Sequence, residues 1–67
     1  MRTLALDQSS HITGWAVFEG KVLLEYGKFE LTHPDLGVRL KQIRERVDQM
    51  VKDYGIQKIV MEDVQYQ

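Results

Sequence analysis

The sequence predicts an α/β fold in which a three-stranded antiparallel meander is followed by one helix and a parallel fourth strand. Two short apolar runs that each end in an acid are typical of strands buried inside a sheet. Between them lie two strand-like runs joined by a turn signal, and then a long stretch with helical spacing of apolar residues. The expected strand order is 3-2-1-4, with the helix covering one face.

The first half of the chain predicts the meander. Thr3–Asp7 is apolar up to its final acid, and Gly14–Phe18 is rich in aromatic and β-branched residues. Gly20 supplies the positive φ that a short hairpin needs. The third strand falls within Lys21–Leu31, where Gly27 predicts a bulge or a close backbone approach.

A single amphipathic helix is predicted after the meander. Asp35 is placed to cap its start or to serve as a first-turn acid, and Gly55 is placed for a left-handed C-terminal cap. The apolar residues between them are spaced by three or four positions, which keeps them on one helical face. They are Leu36, Leu40, Ile43, Val47, Met50 and Tyr54.

The last apolar run, Lys58–Glu62, predicts a fourth strand. A strand that follows one crossover helix pairs in parallel with an earlier strand, and the apolar first strand is the natural neighbour. No segment is left to cover the second face of the sheet. We therefore expect the chain to be truncated, or to assemble with a partner or a second copy.

Composition excludes several classes of protein. The chain has 67 residues, so it holds one small domain with a marginal core. It has no cysteine, which excludes disulfides and thiolate metal sites. No apolar run approaches membrane-spanning length, and no signal peptide precedes the first strand. We expect a cytoplasmic protein. The formal net charge of −1 does not decide for or against a nucleic-acid partner.

Two acids are predicted to meet at one edge of the sheet. Asp7 ends the first strand and Glu62 ends the fourth, and the carboxyl ends of parallel strands lie together. Adjacent carboxylates repel unless a proton or a cation neutralises them, and Mg²⁺ or Mn²⁺ prefers such oxygen ligands. Two-metal phosphodiester hydrolysis needs more than two acids. Asp63, the nearest further acid, points to the opposite face in an extended strand.

Four segments, at residues 4–10, 13–17, 39–43 and 59–64, together and in this order resemble RuvC-type crossover-junction endodeoxyribonucleases of the RNase H-like superfamily. Residues 4–10 (LALDQSS) resemble the first strand and turn, and residues 13–17 (TGWAV) resemble the start of the second strand. Arg39 and Leu40 with Ile43 resemble the first helix, and residues 59–64 (IVMEDV) resemble the strand that carries the second acid. Gln8-Ser9 stands where many members have Pro-Gly.

The resemblance implies a partial RNase H-like fold in a metal-dependent nuclease that resolves Holliday junctions as a homodimer. Asp7 and Glu62 would be catalytic ligands of Mg²⁺ or Mn²⁺. The family's remaining acids come from a later helix, so residues 1–67 would be the N-terminal half of one domain and inactive alone. Ser9, Ser10 and Thr13 are candidate contacts to branched DNA, although residues of this kind more often satisfy turn backbone groups.

Two other functions stay open. An actin-like sugar kinase or ATPase shares the meander and a similar first loop, although its phosphate loop is richer in glycine, and only Gly14 is available here. A non-catalytic remnant that assembles through the uncovered face is the other alternative. For the aromatic residues Trp15 and Tyr26 we expect core or cross-strand packing. We expect a structural role for His11.

Overall fold

The computed structural model describes residues 1–8 and 12–62, which form five elements in the predicted order. They are β1 (Arg2–Gln8), β2 (Ile12–Glu19), β3 (Val22–Glu30), α1 (Leu36–Tyr54) and β4 (Lys58–Glu62). The four strands form one mixed sheet with the order β3-β2-β1-β4. β1 pairs antiparallel with β2 and parallel with β4. The predicted fold class and strand order are confirmed.

The hairpin between β2 and β3 shows how two glycines are used. Gly20 turns the chain at a φ of 57°. Gly27 marks a close approach, because a Cβ at this position would lie only 2.7 Å from Cζ2 of Trp15. The β-bulge falls elsewhere, where Val17 pairs with Glu25 but the next residue of β2, Phe18, pairs with Leu23. The extra residue in β3 changes the face of the sheet on which each later residue of β3 lies.

α1 begins and ends as its flanking residues predict. The Asp35 carboxylate accepts a hydrogen bond of 3.2 Å from the backbone N–H of Val38. This bond satisfies one of the N–H groups that the first turn leaves without a partner. Gly55 adopts the left-handed conformation with a φ of 62°, and its N–H donates to the carbonyl of Val51. These caps fix the length of the helix.

The core lies between α1 and one face of the sheet. Leu4, Leu6, Val17 and Met50 form its buried cluster. Partly buried side chains surround this cluster, namely Trp15, Phe29, Val47, Tyr54 and Ile56. Burial is strongest near the C-terminal half of the helix.

The N-terminal half of α1 is less covered than its apolar stripe suggests. Leu36 and Leu40 are 59% and 51% exposed. The guanidinium of Arg46 lies 5.6 Å from the centre of the Phe29 ring, close to the end of β3. The apolar residues of the first turns are therefore less buried than Val47, Met50 and Tyr54, which pack against the core.

The second face of the sheet carries the alternate residues of the same strands. Ala5 and Asp7 lie on this face of β1, and Gly14, Ala16 and Phe18 lie on this face of β2. Within residues 1–8 and 12–62, no helix covers them. The uncovered face that the sequence predicts is therefore present in the part of the chain that the structure describes. No helix in that part is long and apolar enough to cross a membrane.

Candidate carboxylate site at the sheet edge

The two predicted metal ligands lie side by side in the backbone of the sheet. Asp7 of β1 and Glu62 of β4 are register partners across the parallel pair. Register partners in adjacent strands occupy the same face and lie roughly 5 Å apart. The residues are 55 positions apart in sequence, so only the crossover through α1 brings them together.

This pair belongs to a row that crosses the whole sheet. Asp7 is also the register partner of Gly14, and Gly14 is the partner of Lys28 in β3. From the outer strand β3 to the outer strand β4, the row therefore consists of Lys28, Gly14, Asp7 and Glu62. It combines a cation, a residue without a side chain, and two acidic positions.

The Asp7 side chain is exposed at the end of β1. Among residues 1–8 and 12–62, no hydrogen bond or ion pair engages its carboxylate. The described structure therefore gives Asp7 no role in holding the fold together. An exposed acid at a central strand end, with no partner among the described residues, can bind a ligand from solvent.

A divalent cation fits the donor chemistry of this edge, but the edge does not form a complete site. Carboxylate oxygens are the ligands that Mg²⁺ and Mn²⁺ prefer. The part of the chain that the structure describes contains no cluster of three or more Asp, Glu, His or Cys residues that could hold a metal ion. Asp7 and Glu62 could thus supply two ligands, while the others would have to come from outside the described residues.

Small residues leave open space beside Asp7. A depression of about 360 Å³ lies along the central strands, and Ala5, Asp7, Gly14, Ala16 and Phe18 contribute to its lining. The described residues that line it are mainly apolar, and Asp7 adds a charged side chain. The depression gives a ligand at the carboxylate edge room to extend over the uncovered face.

Of the three candidate DNA contacts, Ser9, Ser10 and Thr13, the structure describes Thr13. Ser9, Ser10 and His11 lie outside the described residues, as does Asp63. Thr13 is only 1% exposed and lies on the helix-covered face, and its Oγ1 has no hydrogen-bond partner among residues 1–8 and 12–62. The prediction that Thr13 donates to a DNA phosphate does not agree with this position, because β2 directs the side chain into the core.

The aromatic residues divide between the two faces. Trp15 packs in the core as predicted, with its ring centre 6.1 Å from that of Phe29 and 6.4 Å from that of Tyr54. Tyr26 does not lie in the core, since it is 74% exposed, and of the two predicted kinds of packing it has only a cross-strand neighbour. It pairs with Ala16, which is too small to cover it.

The sequence did not predict that Lys28 lies in the row that contains Asp7 and Glu62. Strand alternation alone could not place it, because the bulge in β3 changes which residues face each way. Gly14 connects the two residues, since it pairs with Asp7 of β1 and with Lys28 of β3. The prediction would have required the register of both hairpin strands.

One further electrostatic contact lies on the helix side of the sheet. The hydroxyl of Tyr54 donates a hydrogen bond to the Glu25 carboxylate. This bond, together with smaller effects of burial and nearby negative charge, raises the pKa of Tyr54 above its ordinary value. The contact joins the last turn of α1 to β3 and is separate from the carboxylate edge.

Comparisons of the chain with known protein families, with curated proteins and with solved structures find no match.

Proposed function

We propose that Asp7 and Glu62 are two ligands of a Mg²⁺ or Mn²⁺ site in an endonuclease that resolves branched DNA. The observation that supports this proposal is the register of β1 and β4, which makes the two acids neighbours at the carboxyl ends of parallel strands. Ligand sites in α/β sheets occur at such strand ends. The ordered resemblance to RuvC-type resolvases supplies the substrate class, a four-way DNA junction.

The chain's own contribution is to hold two carboxylates in place. β1 is an inner strand, paired on both sides, so the backbone at Asp7 is fixed by β2 and β4. A bound divalent cation would supply an activated water and stabilise the leaving oxygen of a phosphodiester. Two carboxylates are too few for two-metal hydrolysis, so this function requires further acidic ligands that the described residues do not provide.

Metal binding can be tested on the 67-residue chain without any activity. Addition of Mn²⁺ should broaden the amide NMR signals of residues around Asp7 and Glu62, because the ion is paramagnetic and would sit between them. Asp7→Asn and Glu62→Gln should each weaken this local broadening. Asp48→Asn removes an exposed helix acid and serves as the matched control. Broadening that is equal in all four proteins would contradict the metal-ligand assignment.

Cleavage should be tested in the native protein, with a labelled four-way junction and Mg²⁺ or Mn²⁺. We expect Asp7→Asn and Glu62→Gln to abolish cleavage and leave junction binding largely intact, because they remove metal ligands and not DNA contacts. Loss of binding together with cleavage would argue against this role. The two acids of the described residues should not suffice for cleavage without further acidic ligands.

A second candidate is non-catalytic assembly through apolar surface. It is favoured by the exposure of large apolar side chains in a small protein, including Tyr26 on the uncovered face and Ile59 and Met61 on the edge strand β4. Sedimentation velocity with and without EDTA separates the two functions. Self-association that is independent of metal and unchanged by Asp7→Asn, combined with no Mn²⁺ binding, would favour assembly. The kinase alternative gains no support, since Gly14 lies inside β2 and not in a phosphate loop.

A further inference from the structure

The row that contains Asp7 and Glu62 also contains a lysine, and the proposed metal site gives this lysine no role. Lys28 lies in the same row as Asp7 and Glu62, two strands from Asp7. Gly14 occupies the position between them. Since register partners share a face, Lys28 and Asp7 are on the same, uncovered side of the sheet.

The distance across this row suits a small anion. Two strand spacings place the Cα atoms of Lys28 and Asp7 about 10 Å apart. A lysine stem can carry its ammonium roughly 6 Å from its Cα, so the charge can approach Asp7 to within the width of a phosphate group. A side chain at Gly14 would stand in this gap. A Cβ there would meet nothing closer than 3.8 Å, so the gap is open.

The present partner of Lys28 leaves its ammonium available. The Nζ atom lies 3.2 Å from Oε1 of Glu30, and both side chains are more than 60% exposed. Exposed ion pairs of this kind contribute little to stability and exchange readily for other anions. The other lysines of the strands and turns, Lys21 and Lys58, lie at the opposite end of the sheet, near the β2–β3 turn and the start of β4. Lys28 is thus placed to act at the carboxylate edge.

We propose that Lys28 binds a non-bridging phosphate oxygen of the nucleic-acid backbone, with the phosphodiester lying over Gly14 towards the Asp7–Glu62 pair. This inference rests on the proposed function and identifies how this chain holds the substrate's phosphate. The two carboxylates would otherwise repel a phosphodiester, and an ammonium on the same face offsets that repulsion. Gly14 provides the space in which the phosphate approaches the strand backbone.

The test is a salt titration of junction binding to the full chain in EDTA, followed by fluorescence anisotropy of a labelled four-way junction. Each protein–phosphate contact contributes about 0.9 to the slope of log affinity against log salt concentration. Lys28→Met should reduce the slope by about one contact, which corresponds to roughly eightfold weaker binding at about 0.1 M salt. Lys28→Arg should keep the wild-type slope, because it keeps the charge.

Lys21→Met is the matched control, because it removes an exposed lysine at the other end of the same hairpin. It should leave the slope nearly unchanged. Equal effects of Lys28→Met and Lys21→Met, a wild-type slope in Lys28→Met, or no junction binding by the wild-type chain would each overturn the proposal. The Mn²⁺ broadening experiment does not depend on Lys28 contacts to DNA, so it reports failure of the metal site separately.

Discussion

The two faces of the sheet are built from alternate residues of the same strands, yet they have different properties. On the helix-covered face, Leu4 and Val17 are fully buried and pair with each other across β1 and β2. Ala5 and Asp7, which follow the buried residues Leu4 and Leu6 in β1, lie on the other face. The period of two along a strand thus separates side chains that hold the fold from side chains available for binding.

The packing that holds β1 in place therefore lies on the face opposite to Asp7. The residues that fix β1 are on the face that Asp7 does not use, so substitutions at the acid and substitutions in the core should act independently. Substitutions on each face test this independence.

Removal of a core side chain should have the largest effect. Leu4→Ala should lower the free energy of unfolding by about 2–5 kcal/mol, since it leaves a cavity between the sheet and Met50. Thr3→Ala, the adjacent position on the other face, should cost less than about 1 kcal/mol. Urea unfolding followed by Trp15 fluorescence measures both. Equal costs would show that the second face is also covered in solution.

The two glycines of the sheet interior allow a matched comparison. Gly27→Ala should cost about 1–3 kcal/mol, because its methyl group would displace the Trp15 ring. Gly14→Ala should stay within about 1 kcal/mol of wild type, since its new methyl group meets only ordinary contacts. Urea unfolding gives the energies, and near-ultraviolet circular dichroism reports the displaced indole. A normal Trp15 spectrum in Gly27→Ala would contradict the close approach.

Metal binding should stabilise the chain through the uncovered face alone. Mg²⁺ at ten times its dissociation constant should add about 1.4 kcal/mol to the free energy of unfolding of the wild type. Asp7→Asn should remove this increment and, without metal, should not destabilise the chain. Thermal unfolding with and without Mg²⁺ measures the difference. An equal rise in Tm for both proteins would place the ion elsewhere.

A smaller effect is expected for the buried hydroxyl. Thr13→Val keeps the shape of the side chain and removes an Oγ1 that has no hydrogen-bond partner in the described part of the chain. The free energy of unfolding should therefore stay the same or rise by up to about 1 kcal/mol. Urea unfolding decides. A loss larger than about 1 kcal/mol would mean that the hydroxyl is hydrogen-bonded in solution.

The smallest effect concerns the contact between Tyr54 and Glu25. Glu25→Gln should lower the pKa of Tyr54, because it removes the carboxylate that favours the protonated phenol. A tyrosine whose pKa is raised in the folded state stabilises the fold at pH values below its ordinary pKa and loses that contribution as pH rises through the raised value. Alkaline titration of tyrosinate absorbance in the two proteins gives the shift. Identical curves would contradict the hydrogen bond.

Much of this architecture follows from local patterns. The apolar runs at Thr3–Asp7 and Lys58–Glu62, the capping signals at Asp35 and Gly55, and the turn at Gly20 each predict a feature that the structure contains. The order 3-2-1-4 also follows, because one helix between two apolar strands requires a parallel crossover. These predictions succeed because each depends on neighbouring residues or on a general rule of connection.

Other features depend on register, which local patterns do not contain. The exposure of Tyr26 and the placement of Lys28 in the same row as the acids follow from which residue faces which across β2 and β3. A single bulge shifts that pairing, and every residue beyond it changes its neighbours.

The elements, their order and the acids near the ends of two strands could be predicted from the residues alone, because these features are set by periodicity, capping and crossover geometry. The sequence predicted that Asp7 and Glu62 are neighbours, but the register of the folded sheet was needed to add Gly14 and Lys28 to their row. The pairing of Lys28, Gly14, Asp7 and Glu62 joins four residues from four different strands. Their proximity is created by sheet register and by the crossover of α1, and neither is encoded at any one position in the chain.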